Sequence, residues 1–196
     1  MSDGDPDEVL DRMLAGDEDA FRQVYRATQP GLLRYLTVLV GAPDAEDVAA
    51  EAWAQAVRDL DSFRGSLDGF RGWVTTIGRH RALDLLRARR RRPVVDVPDD
   101  ELPELTRHEP SAEVDAMTLL TTAEALRLIA TLPPDQAEAV LLRAVVGLDA
   151  KTAAEVLGKR PGAVRTAAHR GLRTLQDRVL RTNSDISRAR DADEMT

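Results

Sequence analysis

Apolar residues recur at three- and four-residue steps along most of this chain, which is the spacing of amphipathic α-helices. The clearest such stretch in the first half spans residues 45–60, and Asp44 before it suits a helix N-cap. Further helices are predicted over residues 9–15, 20–26, 32–40, 74–91 and 117–130. Pro30, with a glycine after it, is expected to separate two of these helices. The pattern therefore predicts an all-α fold.

The second half contains a helix, a turn, a short helix, a turn and a long helix, between residues 132 and 180. Gly147 ends the first of these helices. A short helix over 150–157 is closed by Gly158, since glycine readily adopts the left-handed C-cap conformation. Pro161 suits the first turn of the next helix, where a proline forfeits no helical hydrogen bond.

The long helix that follows has an apolar and a basic face. The predicted apolar stripe contains Val164, Ala168, Leu172, Leu175 and Val179. The opposite face carries Arg165, Thr166, His169, Arg170 and Arg173. A short helix, a glycine turn and a second helix with a basic face are typical of the helix-turn-helix, whose second helix enters the DNA major groove. A helical bundle with a solvated basic face is the alternative.

The first turns of such a helix reach deepest into the groove. Arg165 and Thr166 are therefore expected to contact bases, with His169 as a third candidate. The remaining basic residues of this region are expected to meet phosphates, namely Lys159, Arg160, Arg170 and Arg173.

The amino-acid composition limits the kinds of site that this chain could form. The 196 residues include no cysteine, and the three histidines are far apart, so we expect no disulfide, metal site or cofactor. Gly158-Lys159 lacks the rest of a phosphate-binding loop, and no catalytic set is recognisable. The acidic N-terminus has no apolar core and no run approaches membrane-spanning length, so a cytoplasmic protein without membrane insertion is expected.

Charge is distributed unevenly, although the net charge is −7. Residues 71–92 hold eight arginines and one acid, and residues 159–181 hold seven basic residues and one acid. Two basic islands in an acidic chain indicate two separate contacts with nucleic-acid phosphates.

Aromatic residues accompany the first island. All seven lie between Phe21 and Trp73, and Phe63, Phe70 and Trp73 stand in or beside a polar loop with arginines. Rings among arginines suit unpaired bases, which stack on the rings while the arginines hold phosphates. Core packing is the alternative for these rings. On the helix that follows, Arg79, His80 and Arg87 are predicted to face outward.

Four segments are predicted from these patterns. Residues 1–92 form a first helical domain, and residues 93–111 form an acidic, proline-rich linker. Residues 112–182 form the helix-turn-helix domain, and residues 183–196 form a disordered polar tail.

Four segments follow one another along the chain: DAEDVAAEAW, FRGSLDGFRGWVTTIGRHRALDLLRARRRR, the acidic linker, and LPPDQAEAVLLRAVVGLDAKTAAEVLG followed by GAVRTAAHRGLRTL. In this order they resemble bacterial sigma factors of group IV, the extracytoplasmic-function (ECF) type. The resemblance covers residues 20–180. It implies a region 2-like bundle and a region 4-like helix-turn-helix, which recognise the −10 and −35 promoter elements. The implied partners are promoter DNA, an anti-sigma factor and core RNA polymerase, through the clamp helices of its largest subunit and, for the C-terminal domain, its flap.

The resemblance also implies roles for individual residues. Polymerase docking is assigned to Asp44, Glu46, Asp47, Glu51 and Gln55. Recognition and melting of the −10 element are assigned to Phe63, Arg64, Ser66, Leu67, Asp68, Phe70, Arg71, Trp73, Arg79, His80 and Arg87. The −35 element is assigned to the helix-turn-helix residues named above. The family often has glutamine at the position of Ala50 and phenylalanine at that of Trp53. An operator-binding regulator, with residues 1–110 for dimerisation or sensing, is the rival from another class.

Overall fold

The computed structural model describes the backbone of residues 6–91 and 116–193 and the side chains of 7–91 and 122–181. The predicted linker, residues 93–111, lies outside the described residues. Within these ranges the chain is helical and contains no strand. The α-helices are α1 Pro6–Leu14, α2 Glu18–Val40, α3 Ala42–Arg58, α4 Leu67–Arg91, α5 Ala116–Ala130, α6 Pro134–Val140, α7 Ala150–Leu157 and α8 Pro161–Asp193. The all-α prediction is confirmed.

Helix α2 is one continuous helix, so the predicted break at Pro30 is wrong. Proline removes one hydrogen bond, to the carbonyl of Arg26, and Arg26 is exposed to water that can replace it. Leu32 and Tyr35 beyond the proline are completely buried. Their burial favours continuing the helix across Pro30 and offsets its cost.

Helices α3 and α4 both begin earlier in the chain than predicted. Helix α3 starts at Ala42 after Gly41, so Asp44 lies in the first turn and is not the N-cap. An acid in that turn still interacts favourably with the helix dipole. Helix α4 starts at Leu67 rather than at residue 74, and the hydroxyl of Ser66 accepts a hydrogen bond from the N–H of Gly69 at 3.2 Å. Capping by Ser66 satisfies one of the free donors of this helix start.

Helices α1 to α4 form the N-terminal module, which is built around a shared apolar core. Its buried members come from every helix and include Leu10, Val24, Leu36, Ala49, Trp53, Phe70 and Val74. Helix α4 carries buried residues over more than three turns, from Phe70 to Ala82. The first basic island is therefore built on a helix that is fixed by the core of the module.

Helices α5 to α8 form the C-terminal module, which follows the predicted pattern closely. Helix α6 passes into a π-helical turn, Leu141–Val145. The prediction of a short helix over 150–157 is confirmed: the carboxylate of Asp149 accepts a hydrogen bond from the N–H of Thr152 at 2.7 Å, and Gly158 adopts φ 62° at the C-cap. Pro161 begins α8, also as predicted.

Helix α8 continues to Asp193, although the sequence predicted disorder from residue 183. Residues 182–193 contain neither glycine nor proline, so nothing in this stretch breaks the helix. The last part of the predicted tail, residues 194–196, lies outside the described residues.

Candidate nucleic-acid interfaces

The outer face of α8 is built as the sequence predicts. Val164 and Ala168 are buried, and they fix the helix against the rest of the C-terminal module. The predicted DNA-contacting residues of the helix are all exposed, namely Arg165, Thr166, His169, Arg170 and Arg173. This face presents three arginines and a histidine to solvent, as the face of a helix that enters a major groove would.

Two residues of the predicted apolar stripe are exposed instead of buried. Leu172 is 49% exposed and Val179 is 43% exposed, and Gly171 takes the place of Leu172 in the interface with α6. A Cβ at Gly171 would lie 2.7 Å from Cγ2 of Val140, so the two helices approach too closely there for a larger residue. The sequence could not reveal this contact because glycine carries no apolar signal.

The turn before α8 carries two predicted phosphate contacts. Arg160 is exposed, and the ammonium of Lys159 lies 2.7 Å from a carboxylate oxygen of Asp135. Asp135 is itself largely exposed. An exposed ion pair of this kind contributes little stability, so Lys159 could exchange Asp135 for a phosphate at little cost.

The aromatic rings that the sequence assigned to base capture belong to the core. Phe70 is 1% exposed and Phe63 is 8% exposed. The two rings pack edge-to-face with centroids 5.3 Å apart, and Trp73, half-buried, lies 5.2 Å from Phe63 and 5.8 Å from Phe70. In this conformation neither phenylalanine offers a face to a base. Their core role, which the sequence left open, is what the structure shows.

The polar residues of the same loop remain on the surface. Arg64 and Ser66 are exposed, whereas Leu67 and Asp68 are half-buried. The Arg64 guanidinium donates to the carbonyls of Asp61 and Phe63 at 2.7 and 2.6 Å, which holds the loop in a tight turn. The N–H of Leu67 donates to the carboxylate of Asp7 at 2.8 Å. A pre-shaped loop of this kind rests on the aromatic cluster of Phe63, Phe70 and Trp73.

Two of the arginines on α4 face the C-terminal module. Arg79, predicted to point outward, instead forms a two-bond ion pair with Glu138 of α6: Nε lies 2.9 Å from Oε1, and a terminal nitrogen lies 3.2 Å from Oε2. The hydroxyl of Tyr35 donates to the same Oε1 at 3.2 Å. Arg71 donates to the backbone carbonyl of Val146. His80 and Arg87 remain exposed, as predicted.

The environment of this ion pair shifts two pKa values. Burial, together with the neighbouring carboxylate of Glu138, raises the pKa of Tyr35 well above its usual range. The hydrogen bonds to Glu138 raise the pKa of the Arg79 guanidinium. Tyr35 is therefore a neutral donor and Arg79 a permanent cation at physiological pH. Sequence analysis missed Tyr35 and Glu138, because their sequence separation of 103 residues leaves no local signal.

The acidic face of α3 is open but partly paired with α4. Glu46 and Asp47 are exposed. The Arg89 guanidinium lies 2.6 Å from a carboxylate oxygen of Asp44. Arg81 bridges the two remaining predicted docking residues, with Glu51 at 3.6 Å and the amide oxygen of Gln55 at 2.9 Å. The first basic island and the predicted docking face are thus in direct contact.

The part of the chain that the structure describes contains no cluster of three or more histidine and acidic side chains suited to a metal ion. No helix in that part is long and apolar enough to span a membrane.

Comparison with known proteins finds a matching family for a region of each module. Residues 24–92 match the family described as Sigma-70 region 2, and residues 122–175 match Sigma-70, region 4. The chain is 35% identical over 177 residues to the ECF RNA polymerase sigma factor ShbA of Streptomyces griseus, covering 86% of this chain and 92% of ShbA. It is 32% identical over 169 residues to the ECF RNA polymerase sigma factor BldN of Streptomyces coelicolor, covering 86% of this chain but only 63% of BldN.

The fold agrees with these matches. A solved structure of CnrH, in complex with the cytosolic domain of CnrY, superposes with a TM-score of 0.60 at 23% identity over 89% of this chain and 97% of CnrH. The two matched regions and the helical fold define a protein of the sigma-70 family. Within that family, its relatives show that the chain belongs to the ECF sigma factors.

Proposed function

We propose that this protein is a sigma factor that binds core RNA polymerase and directs promoter-specific transcription initiation. The observation that carries the proposal is the pairing of a region 2 match with a region 4 match, in a chain whose α8 presents an exposed basic face. ShbA and BldN are named as RNA polymerase sigma factors, which supports the same activity here. The protein has no chemistry of its own and acts, in the cytoplasm, by binding.

Recognition of the −35 element is assigned to α8. Arg165 and Thr166 lie in its first turns and contact base edges, where arginine reads guanine bidentately. Arg170 and Arg173 lie one to two turns further along and contact phosphates. Phosphate contacts position the helix, and base contacts give it sequence preference.

Capture of the −10 element is assigned to the surface of the loop from residue 63 to 70 and to α4. Because Phe63 and Phe70 are buried, the capturing groups are the exposed parts of the loop, with Arg64 and Ser66 foremost. His80 and Arg87 on α4 then hold the backbone of the melted strand. Such contacts offset the cost of extruding a base from the duplex, a few kcal/mol for each base.

Docking on the polymerase is assigned to the acidic face of α3, with Asp47 and Glu51 at its centre. These carboxylates are exposed and suit a basic helical partner such as the clamp helices of the largest subunit. The C-terminal module would contact the flap. An anti-sigma factor is a further proposed partner, since a structurally similar sigma factor, RpoE, was solved in complex with the anti-sigma factor NepR from Bartonella quintana.

Charge reversal tests the docking assignment. Asp47→Arg with Glu51→Arg should abolish co-purification with core RNA polymerase, because it replaces two carboxylates by cations facing a basic partner. Asp11→Arg with Asp61→Arg is the matched control, since both acids are exposed on the same module and the charge changes equally. Circular dichroism should show that both variants keep their helices.

Retention of core polymerase by the Asp47→Arg/Glu51→Arg variant would contradict the docking assignment. If the wild-type chain itself fails to comigrate with core polymerase in the absence of DNA, the operator-binding alternative is favoured instead.

A further inference from the structure

One leucine of α8 is exposed in the middle of the basic face. Leu172 is 49% exposed, and its sequence neighbours on that face, His169 and Arg173, are exposed as well. Gly171 takes the core-facing position beside it, where an added Cβ would lie 2.7 Å from Cγ2 of Val140. Helix α8 therefore packs on α6 with Leu172 turned outward, and the apolar surface of this side chain is available to a partner of the basic face.

Leu172 shares one line along the helix with a residue that is assigned to base contact. Successive residues of an α-helix are about 100° apart, so steps of four, three and four residues lead from Arg165 to His169, Leu172 and Gln176, all within about 40° of the direction of Arg165. The side chains of His169, Leu172, Arg173 and Gln176 also line one shallow depression of the surface. Leu172 thus belongs to the row of exposed side chains that Arg165 begins.

The charges around Leu172 indicate what kind of partner this row receives. The exposed face from Arg165 to Arg173 carries three arginines and a histidine, and the first acid after Lys159 is Asp177. A surface of this kind fits a polyanion. In the major groove of DNA, the group that makes apolar contacts with side chains is the C5-methyl of thymine, which no other base carries. An apolar side chain among the cations is therefore placed to meet that methyl group.

We propose that Leu172 is a specificity-determining residue, which reads a thymine of the −35 element by contact with the C5-methyl group of that base. The inference rests on the proposed −35 role of α8. Leu172 lies seven residues beyond Arg165, which is about 10 Å along the helix axis and corresponds to about three base pairs. The thymine is therefore expected about three base pairs from the position that Arg165 reads.

Replacement of thymine by deoxyuridine tests the contact, because it removes the methyl group and leaves base pairing and phosphate charge unchanged. The wild-type chain, assembled with core polymerase, first selects promoter duplexes from a pool with a randomised upstream region. Each thymine of the selected −35 element, on either strand, is then replaced singly by deoxyuridine. Binding to these duplexes is measured for the wild-type holoenzyme and for holoenzymes with variants of Leu172.

One thymine should show a methyl effect that depends on Leu172. Its replacement by deoxyuridine should weaken binding of the wild type about fourfold, the ratio that corresponds to burial of one methyl group. Leu172→Ala should weaken binding to the unmodified duplex and should be insensitive to deoxyuridine at that position, since the two changes remove the same contact. Leu172→Met keeps an apolar side chain of similar volume, so it should keep the methyl effect.

Val179→Ala is the matched control. Val179 is likewise apolar and 43% exposed, and it lies on the same line of α8, seven residues beyond Leu172 and past the acid Asp177. Its substitution should leave the effect of every deoxyuridine unchanged. Because Leu172 is exposed and alanine favours helices, Leu172→Ala should keep the helix content and the thermal unfolding midpoint of the wild type, both followed by circular dichroism.

Three results would overturn the inference. They are an equal deoxyuridine effect for the wild type and Leu172→Ala at every thymine, loss of the effect in Val179→Ala as well, and a selected −35 element without thymine. Loss of core-polymerase binding by Leu172→Ala in the absence of DNA would also overturn it, because the leucine would then be a protein contact.

Arg165→Ala, measured on the same duplexes, separates this failure from failure of the proposed function. If Arg165→Ala relaxes the base preference and Leu172→Ala leaves every methyl effect intact, α8 reads the −35 element without Leu172. If the wild-type holoenzyme selects no upstream element at all, the proposed function fails and the inference fails with it.

Discussion

Phe70 allows the core and base-capture interpretations of the aromatic cluster to be separated by a single substitution. Its ring is 1% exposed and has three aromatic neighbours, with centroids 5.3 Å away at Phe63, 5.8 Å at Trp73 and 6.3 Å at Trp53. Truncation of a buried phenylalanine to alanine costs about 3–5 kcal/mol, from lost apolar burial and the cavity left behind. Small domains have only about 5–15 kcal/mol in total, so the N-terminal module should be close to unfolding.

The measurement is urea unfolding of the full chain, followed by circular dichroism and tryptophan fluorescence. With a slope of about 2 kcal/mol per M, Phe70→Ala should move the midpoint of the N-terminal module down by about 2 M. Phe70→Leu is the control, because it keeps most of the volume and should cost less than about 1.5 kcal/mol. Both tryptophans, Trp53 and Trp73, contact the Phe70 ring and report on its module.

A transcription assay then separates a core role of Phe70 from a base-capture role. If Phe70 is a core residue, Phe70→Ala should lose activity equally on a duplex promoter and on a template with a pre-melted bubble. An unchanged unfolding midpoint, together with activity that recovers only on the bubble, would show that the ring captures a base and that the buried position is not its working position.

Two further predictions concern the C-terminal module. Arg165→Ala should cost about 1–3 kcal/mol of DNA-binding free energy and relax the base preference at one position of the upstream promoter element. Arg173→Ala should weaken binding to all sequences alike and reduce the salt dependence of binding by about one unit of slope. Binding to single-base variants of the element at several salt concentrations distinguishes the two, and exchanged behaviour would reverse our orientation of α8. The N–H of Thr152 lowers the pKa of Asp149, so the cap contributes stability above the unfolded pKa of about 3.9 and loses it as the pH falls further. Asp149→Ala should therefore lower the free energy of unfolding by about 1 kcal/mol at pH 7 and by less at pH 3. Asp149→Asn keeps a capping oxygen, so at pH 7 it should lower that free energy by less than Asp149→Ala does. Unfolding measured at both pH values tests this, and an equal loss of stability at pH 7 and pH 3 for Asp149→Ala would contradict the ionised cap.

Features set by neighbouring residues were predictable from the sequence. Asp149 and Gly158 delimit α7, and Pro161 begins α8, because capping and proline geometry act within a few residues. The exposed basic face of α8 followed from helical spacing alone. These local rules were sufficient to locate the candidate DNA-reading surface.

Features set by tertiary contact were not predictable. Pro30 ends a helix in most local contexts, but burial of the residues beyond it keeps α2 continuous. A polar loop gives no sign that Phe63 turns inward onto Phe70. The destination of Arg79 depended on Glu138, which is 59 residues away in the sequence. For Arg79 the decisive partner lies far outside the window in which a hydrophobic period is read, and for Pro30 and Phe63 the deciding factor is burial in the folded core.

The arginines of α4 differ in how firmly they are held by acidic partners, and the difference bears on the proposed capture of a DNA strand by this helix. Arg89 and Arg81 pair with acids of α3 at sites where the arginine side chains are 50% and 41% exposed. Exposed pairs of this kind contribute at most about 1 kcal/mol, so a DNA phosphate or a basic polymerase helix can displace them readily. Arg79 differs, because breaking its pair alone would leave Glu138 half-buried without its cation, which is costly. Release of Arg79 therefore requires the whole C-terminal module to move, whereas Arg81 and Arg89 can be exchanged one at a time.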